Sequence, residues 1–305
     1  MTNKGWEFRV DAVPFENRDW RVGFYFNIAH NENKITEMPD NYTEENYTFN
    51  NGEYAYRREE GRPMGSFYGY RYKGVCQNKD ATYARDADGN VMKDISGNAI
   101  VMRNGTATIA PGDALYEDIN HDGVINQYDI VYLGNSNPRF TGGAGVNVSY
   151  KQFKLSAIFY GRYGQDVVNS TRLNNESMRG IDNQSTAVLR RWRNEGDQTD
   201  IPRALYGEGY NTLGSDRFVE DASYLRLKSL SFNYRLPKKI IQRWGFSNID
   251  VYVTGYNLFT WTKYTGQDPE VKTENTYARD SATTPASIQP VSYTHLRAHE
   301  TEADL

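Results

Sequence analysis

The stretch from Asp118 to Asp129 carries oxygen ligands at the spacing of a calcium-binding loop. Ca²⁺ prefers such hard ligands, and three carboxylates would offset its dehydration. The candidate ligands are the side chains at loop positions 1, 3, 5, 9 and 12 and the backbone carbonyl at position 7, with Gly123 at the sharp turn of position 6: Asp118, Asn120, Asp122, Asn126, Asp129 and Val124. An aspartate replaces the usual bidentate glutamate at position 12, and no helical pattern flanks the loop. The alternative is an Asx-rich loop that hydrogen-bonds its own backbone. A bound calcium ion would rigidify this loop, and we predict no catalytic role for it.

A second candidate region is the polar segment between Gly161 and Glu220. Within it, Thr186–Trp192 has helical spacing and is followed by a turn signal, which predicts a short helix on a surface loop. Trp192 and Tyr206 offer aromatic faces to a sugar ring, and Arg190 offers a cation to a substrate or a partner protein. The alternative is that these side chains pack the loop or face solvent.

Other kinds of site find little support. The four histidines, His30, His121, His295 and His299, are scattered, so neither a zinc site nor a catalytic triad is predicted. Cys76 is the single cysteine, which rules out an internal disulfide. The formal net charge of -4 gives no nucleic-acid footprint. We therefore predict that the chain is not an enzyme and does not bind nucleic acid.

These candidate loops must be positioned by β-strands, because apolar residues recur at every second position over long stretches. Clean alternation predicts two hairpins, Trp6–Ala12 with Trp20–Ile28 and Ala144–Tyr150 with Phe153–Phe159. A third hairpin pairs Ala222–Leu236 with Asn248–Trp261 across a helical turn at 237–245, and its parity slips once near Ser229, which predicts a bulge.

The polar face of these strands contrasts with an apolar face rich in aromatic residues. The polar residues are Glu7, Arg9, Asp11, Arg21, Tyr25, Asn147, Lys154 and Asp250. The aromatic residues are Trp6, Phe8, Trp20, Phe24, Phe26, Phe153 and Phe159. Such a sheet is typical of a transmembrane β-barrel, with the polar face toward the lumen and the apolar face toward lipid.

The connections alternate between short turns at one end of the strands and long polar segments at the other, roughly 31–63, 77–142 and 161–220. This asymmetry is typical of outer-membrane barrels, whose long loops are extracellular. By parity, the stretch between the first two hairpins contributes no membrane crossing or an even number. We expect Gly65–Val75 to be one of these crossings.

Several segments, in order, resemble the C-terminal part of the SusC/RagA family of TonB-linked outer-membrane proteins of Bacteroidetes. They include GRPMGSFYGYRYKGV, GDALYEDINHDGVINQYDIVYLGNSNPRFTGG, DASYLRLKSLSFNYRLP and VYVTGYNLFTWTKYTGQDPEV, and the resemblance runs from about Asn3 to Val271. It implies a 22-stranded transmembrane barrel with an N-terminal plug. It further implies a location in the cell outer membrane and import of oligosaccharides or peptides with a SusD-like lipoprotein and energy from TonB.

The resemblance also sets the expected organisation of the chain. Residues 1–290 are expected to form the C-terminal section of an all-β, antiparallel barrel, incomplete here because the plug, the TonB box and most of the strands are missing. Residues 291–305 resemble adaptor read-through and are expected to be a non-native or disordered tail. The alternative reading of the whole chain is a soluble, secreted, calcium-braced β-sheet module that binds glycans.

Overall fold

A computed structural model describes residues 1–39, 54–55 and 57–270, together with the backbone of 273–274 and 277–280. The predicted tail, 291–305, lies outside the described residues. The strands, in chain order, are β1 (Thr2–Glu16), β2 (Trp20–Lys34), β3 (Ser66–Gly69), β4 (Tyr72–Val75), β5 (Arg103–Asn104), β6 (Ala107–Thr108), β7 (Ala114–Tyr116), β8 (Val124–Ile125), β9 (Val131–Asn135), β10 (Phe140–Tyr150), β11 (Phe153–Tyr163), β12 (Asp166–Asn169), β13 (Val219–Asp221), β14 (Tyr224–Arg235), β15 (Asp250–Thr262), β16 (Thr273–Glu274) and β17 (Tyr277–Asp280).

The helices are short and lie in the connections. The α-helices are α1 (Ser170–Asn175) and α2 (Lys238–Ile241), and the 3₁₀ turns are Lys79–Thr82, Gln127–Asp129, Thr186–Arg190, Tyr210–Thr212, Asp216–Phe218 and Gln242–Trp244. In the part of the chain that the structure describes, no helix has the length and apolar character that a membrane crossing requires.

Six long strands form one antiparallel sheet in the order β1-β2-β10-β11-β14-β15. All three predicted hairpins are present. The strands of the first two are longer than the alternation predicts, and β14 is slightly shorter. The first hairpin joins the second through the pairing of β2 with β10, in the register Phe26 to Ala144, and the second joins the third through the pairing of β11 with β14. The predicted bulge is confirmed, because the register shifts between Leu227 and Ser229 on both sides of β14.

One face of this sheet is an exposed apolar band. Its large side chains lie on the same face of all six strands, and between 40% and 60% of each remains exposed: Trp6, Phe8, Trp20, Phe24, Phe26, Val146, Phe153, Leu155, Leu225, Phe232, Val253, Phe259 and Trp261. A soluble sheet would bury such a face under a second layer. No element of the described ranges does so, which argues against the soluble module and agrees with a lipid-facing surface.

The opposite face is polar, as predicted for a lumen. Arg9 donates to Asp11 with Nε to Oδ2 at 2.6 Å, and Arg235 donates to Asp250 at 3.0 Å. Tyr25 covers Gly145, since a Cβ built on that glycine would lie 2.1 Å from the tyrosine ring. The tyrosine ring can pack against the backbone of β10 because position 145 is glycine, and a larger residue there would displace the ring.

The two ends of the sheet differ in the way the sequence predicts. Short turns join the strands at one end, at 17–19 and 151–152, and the third is the predicted helical turn, formed by α2 and the 3₁₀ turn that follows it. The connections at the other end, 35–139 and 164–223, are long and carry both candidate regions. In an outer-membrane barrel the long loops are extracellular.

The first long connection forms a small folded unit with its own core, which we call the loop subdomain (54–135, excluding 56). Its buried residues include Tyr68, Cys76, Tyr116 and Ile125, and Leu213 from the second long connection packs with them. Cys76 is fully buried, and this burial raises the pKa of its thiol to about 11, so the thiol is protonated at neutral pH.

The expectation that Gly65–Val75 crosses the membrane is wrong. This segment forms β3 and β4, which pair with β9 and β7 inside the loop subdomain. Each has only 4 residues, whereas a membrane-spanning strand needs about 9–11. The four residues of β3 and Val75 of β4 are buried among loop residues, so the aromatic alternation there contributes to the core of the loop subdomain.

Candidate functional site at the loop end of the sheet

A buried charge cluster lies on the polar face where β14 meets the segment after β15. Arg226 is 6% exposed. Its guanidinium donates to Thr260 Oγ1 at 2.9 Å, to Glu270 Oε2 at 2.8 Å and to Asp268 Oδ1 at 2.5 Å. Asp268 is itself 7% exposed and accepts from the Glu270 backbone N–H at 2.8 Å. The cluster therefore fastens the segment 264–270 to the inner surface of the sheet.

A second cation and an aromatic ring complete this cluster. Lys228 Nζ donates to Glu270 Oε2 at 2.7 Å, and the Arg226 guanidinium lies 5.2 Å from the centre of the Tyr224 ring. Burial would raise the pKa of Glu270, but the neighbouring Lys228 and Arg226 charges outweigh it and hold that pKa below its ordinary value. Glu270 is consequently ionised at neutral pH and keeps both cations paired.

Asp113 clasps the loop subdomain to the second long connection. Its fully buried carboxylate accepts from Arg203 Nε at 2.7 Å and Nη2 at 3.1 Å, from Asn211 Nδ2 at 3.2 Å and from the Ala110 N–H at 2.9 Å. The bidentate arginine contact fixes orientation as well as distance. Nothing in the local sequence marks Asp113, because its partners are about ninety residues away.

The predicted calcium loop is compact in the structure, and its acidic side chains accept backbone hydrogen bonds. Asp118 Oδ2 accepts from the Gly123 N–H at 2.7 Å, and Asp122 Oδ1 from the Val124 N–H at 2.7 Å. Asp129, fully buried, accepts from the N–H groups of Ile119 and Asn126, both at 2.8 Å. These are the contacts of an Asx-rich loop, and they also occur in cation-binding loops, since each carboxylate oxygen keeps a second lone pair.

Two observations bear on a cation at this loop. Burial raises the pKa of Asp129, with the nearby Asp118 charge adding to the shift. Within the described ranges, no three His, Cys, Asp or Glu side chains converge as a metal-binding group would. The ligand set Asp118, Asn120, Asp122, Val124, Asn126 and Asp129 contains amide and carbonyl oxygens as well, so calcium binding stays a prediction.

A short repeat that was not predicted lies just before this loop. Asp86 accepts from the N–H of Asn90 at 2.8 Å, and Asp94 accepts from the N–H of Asn98 at 2.9 Å. Each motif is an aspartate followed by a glycine-asparagine pair, and the two are eight residues apart. This recurrence of D-x-x-G-N is visible in the sequence and would have predicted two tight turns in the loop subdomain.

The three loop candidates do not come together. Trp192 lies flat against Gly112, where a Cβ would be 2.3 Å from its ring, so it packs the second connection onto the loop subdomain. Tyr206 is 79% exposed. Arg190 ends the predicted short helix, which is a 3₁₀ turn, and its side chain lines a separate polar cavity.

This polar cavity, of about 520 Å³, opens between the second connection and the segment after β15. Its lining includes Arg172, Glu176, Arg190, Asp200 and Gln267. Arg172 Nε donates to Glu176 Oε1 at 3.0 Å, which fixes one wall. The lining offers charges of both signs and amide groups without an aromatic platform, and so suits a hydrogen-bonded polar ligand better than a stacked sugar ring.

Known proteins resemble this chain in sequence and in structure. No model of a protein family matches the chain. The TonB-dependent receptor P3 of Formosa agariphila is 33% identical over 285 residues, which cover 90% of this chain and 26% of the receptor. The TonB-dependent receptor SusC of Bacteroides thetaiotaomicron is 25% identical over 282 residues, 89% of this chain and 24% of the receptor. The chain is homologous to TonB-dependent receptors of the SusC/RagA type.

A solved structure agrees with this homology. The RagAB peptide importer in its closed-closed state superposes with a TM-score of 0.62 at 25% identity, over 91% of this chain and 28% of that chain. The chain thus spans about a quarter of the length of the relatives it matches. TonB-dependent receptors of this type are outer-membrane β-barrel proteins rather than enzymes, and the apolar band is the lipid-facing surface of such a barrel.

Proposed function

We propose that this chain forms one section of an outer-membrane importer that takes up oligosaccharides or peptides with energy from TonB, working with a SusD-like lipoprotein. The observation that carries the proposal is the six-stranded sheet itself. Its apolar band faces lipid, its polar face carries the Arg226 cluster, and its long loops fold into structured units at one end. The sequence relatives are named TonB-dependent receptors, and the structural relative is a peptide importer, which supports both import and a peptide cargo.

The polar cavity supports the same choice of cargo. A peptide presents amide groups and terminal charges, which match a lining of arginine, acidic and amide side chains. We propose Arg190 as a contact to such a ligand or to the lipoprotein, whereas Trp192 acts by packing the loops. Tyr206, exposed on the same connection, is a candidate contact for the lipoprotein.

Uptake by the whole receptor tests this proposal. The receptor carrying this chain would be expressed with its neighbouring lipoprotein in a Bacteroidetes host, and depletion of two probe pools from the medium would be followed by mass spectrometry. The pools are short peptides from a casein digest and malto-oligosaccharides. We expect depletion of the peptide pool that stops when an uncoupler collapses the proton gradient. Uncoupler-resistant depletion, or a receptor absent from the outer-membrane fraction, would contradict the proposal.

A matched pair of arginine substitutions tests the cavity. Arg190→Gln removes the charge that lines the cavity, and Arg193→Gln removes an exposed charge on the same connection outside it. We expect peptide uptake to need about tenfold more substrate for half-maximal rate in R190Q, the equivalent of about 1.4 kcal/mol, and no change in R193Q. Equal rates in R190Q and the parent would exclude Arg190 from ligand binding.

A further inference from the structure

The apolar band has a depression, which we call the dent, at a cross-strand pair of glycines. Gly142 on β10 pairs with Gly161 on β11, and this row continues to Ile28 on one side and Leu225 on the other. A row of side chains that covers the rest of the band is therefore interrupted by bare backbone. Both positions require glycine, because a Cβ would lie 2.6 Å from the Asn27 carbonyl oxygen at Gly142 and 2.8 Å from the Tyr224 carbonyl oxygen at Gly161.

The dent is part of a groove of about 670 Å³ that crosses four strand pairs. This volume lies within the range of about 300–1,000 Å³ that ligand-binding pockets occupy. Its walls on the lipid-facing side are apolar and come from five neighbouring strands: Phe26, Ile28, Ala144, Phe159, Leu225 and Trp261. A groove of this kind, open toward lipid, fits a flexible hydrocarbon chain.

The upper end of the groove, toward the long loops, carries charged side chains. Phe140 and Tyr163 form a row of rings next to the glycines, and beyond them lie Asp221, Ser223 and Lys263. The Asp221 carboxylate accepts hydrogen bonds from the backbone N–H and hydroxyl of Ser223, whereas the Lys263 side chain is exposed. In membrane proteins, aromatic rings lie at the interface of the bilayer, and cations bind the phosphate groups just beyond it. The groove has its rings and its lysine in this order.

We propose that this groove, the glycine groove, binds one acyl chain of an outer-leaflet lipid, with the phosphate of that lipid at Lys263. The direction follows from the fold, since the long loops mark the extracellular side of the barrel. The glycines give the chain room against the backbone, Trp261 and Phe159 contact its sides, and the ammonium of Lys263 complements the phosphate charge. The proposal concerns the lipid surface and is independent of what the receptor imports.

A matched pair of alanine substitutions tests it. Ala144 lines the groove, and Ala157 lies on the same apolar face of the adjacent strand β11 but outside the groove. Ala144→Phe fills the groove, while Ala157→Phe adds the same ring to the same surface. The whole receptor, purified in mild detergent, would be titrated with dipalmitoyl phosphatidic acid, and bound lipid would be counted by native mass spectrometry.

We expect one saturable lipid adduct on the parent and on A157F, about tenfold weaker binding in A144F, and about two- to threefold weaker binding in Lys263→Gln. Equal losses in A144F and A157F would mean unspecific annular lipid and would overturn the proposal. So would the absence of a saturable adduct on the parent, or a receptor dimer that A144F dissociates, which would assign the groove to a second copy of the chain. Heat-modified gel mobility checks that each variant folds.

Discussion

Replacing Arg226 by methionine should strongly destabilise the junction between the sheet and segment 264–270. The change keeps the length of the side chain and removes a charge that donates to Thr260, Glu270 and Asp268. Glu270 retains Lys228 as a partner, but Asp268 is left buried without a cation. Removing one partner of a buried ion pair costs about 3–5 kcal/mol, because the other charge remains desolvated.

A double-mutant cycle separates this penalty from the net value of the pair. In Arg226→Met/Asp268→Leu the orphaned carboxylate is gone, so we expect the double variant to be more stable than R226M alone. The matched control is Arg9→Gln, which breaks an ion pair on the same face in which both side chains are more than half exposed. We expect no measurable change there, since water already screens that pair.

Two measurements suffice. Denaturant unfolding of the receptor in phospholipid vesicles gives the free energy of unfolding, and amide hydrogen exchange reports the opening of 264–270. A loss of about 4 kcal/mol raises the opening equilibrium roughly a thousandfold. A loss of less than about 1 kcal/mol in R226M, or a loss in the double variant equal to the sum of both single changes, would contradict this prediction.

The other predictions concern the loops. Glu270 has a depressed pKa in the folded state, so its contribution is present above its unfolded value of about 4.3 and is lost as the pH falls through the folded value; hydrogen exchange of 264–270 should accelerate only below about pH 4.3, and Glu270→Gln should abolish that dependence. Asp113→Ala should destabilise the loop subdomain by about 2–3 kcal/mol because it removes the buried acceptor of the hydrogen bonds from Arg203, Asn211 and Ala110, whereas the exposed Asp88→Ala should not, as protease sensitivity of the loops will show. Calcium should slow proteolysis of the loop subdomain in the parent but not in Asp118→Asn, while magnesium should protect neither. Equal cleavage with and without calcium would mean that residues 118–129 form an Asx-rich loop that binds no calcium.

The hairpins were predictable because each strand carries its own alternation and its partner is adjacent in the sequence. The bulge at Lys228 was predictable for the same reason, since an extra residue shifts the apolar parity. The pairing of β2 with β10 was not, because more than a hundred residues separate Phe26 from Ala144. Period two also failed for Gly65–Val75, since a four-residue strand in a soluble core alternates just as a lipid-facing strand does.

The candidate site was predictable only where its residues are close in sequence. The calcium loop could be proposed from spacing alone, and calcium binding there stays a prediction, since no three acidic side chains of the described residues converge as metal ligands would. The Arg226 cluster could not be proposed, because Arg226 reads as one more polar residue on a strand and its carboxylates come from beyond β15. Trp192 was ambiguous, since a tryptophan that covers a glycine and one that faces a sugar have the same sequence signature.

The Asp113 clasp has a consequence for how such receptors exchange loops in evolution. It joins two connections that flank the β10–β11 hairpin, so neither is an independent module. A recombination event that replaced the first connection and kept the second would separate the carboxylate from Arg203 and Asn211. Inheritance of the two loops together with the intervening hairpin would preserve it. We therefore expect the loop subdomain, the hairpin and the second connection to vary as one block.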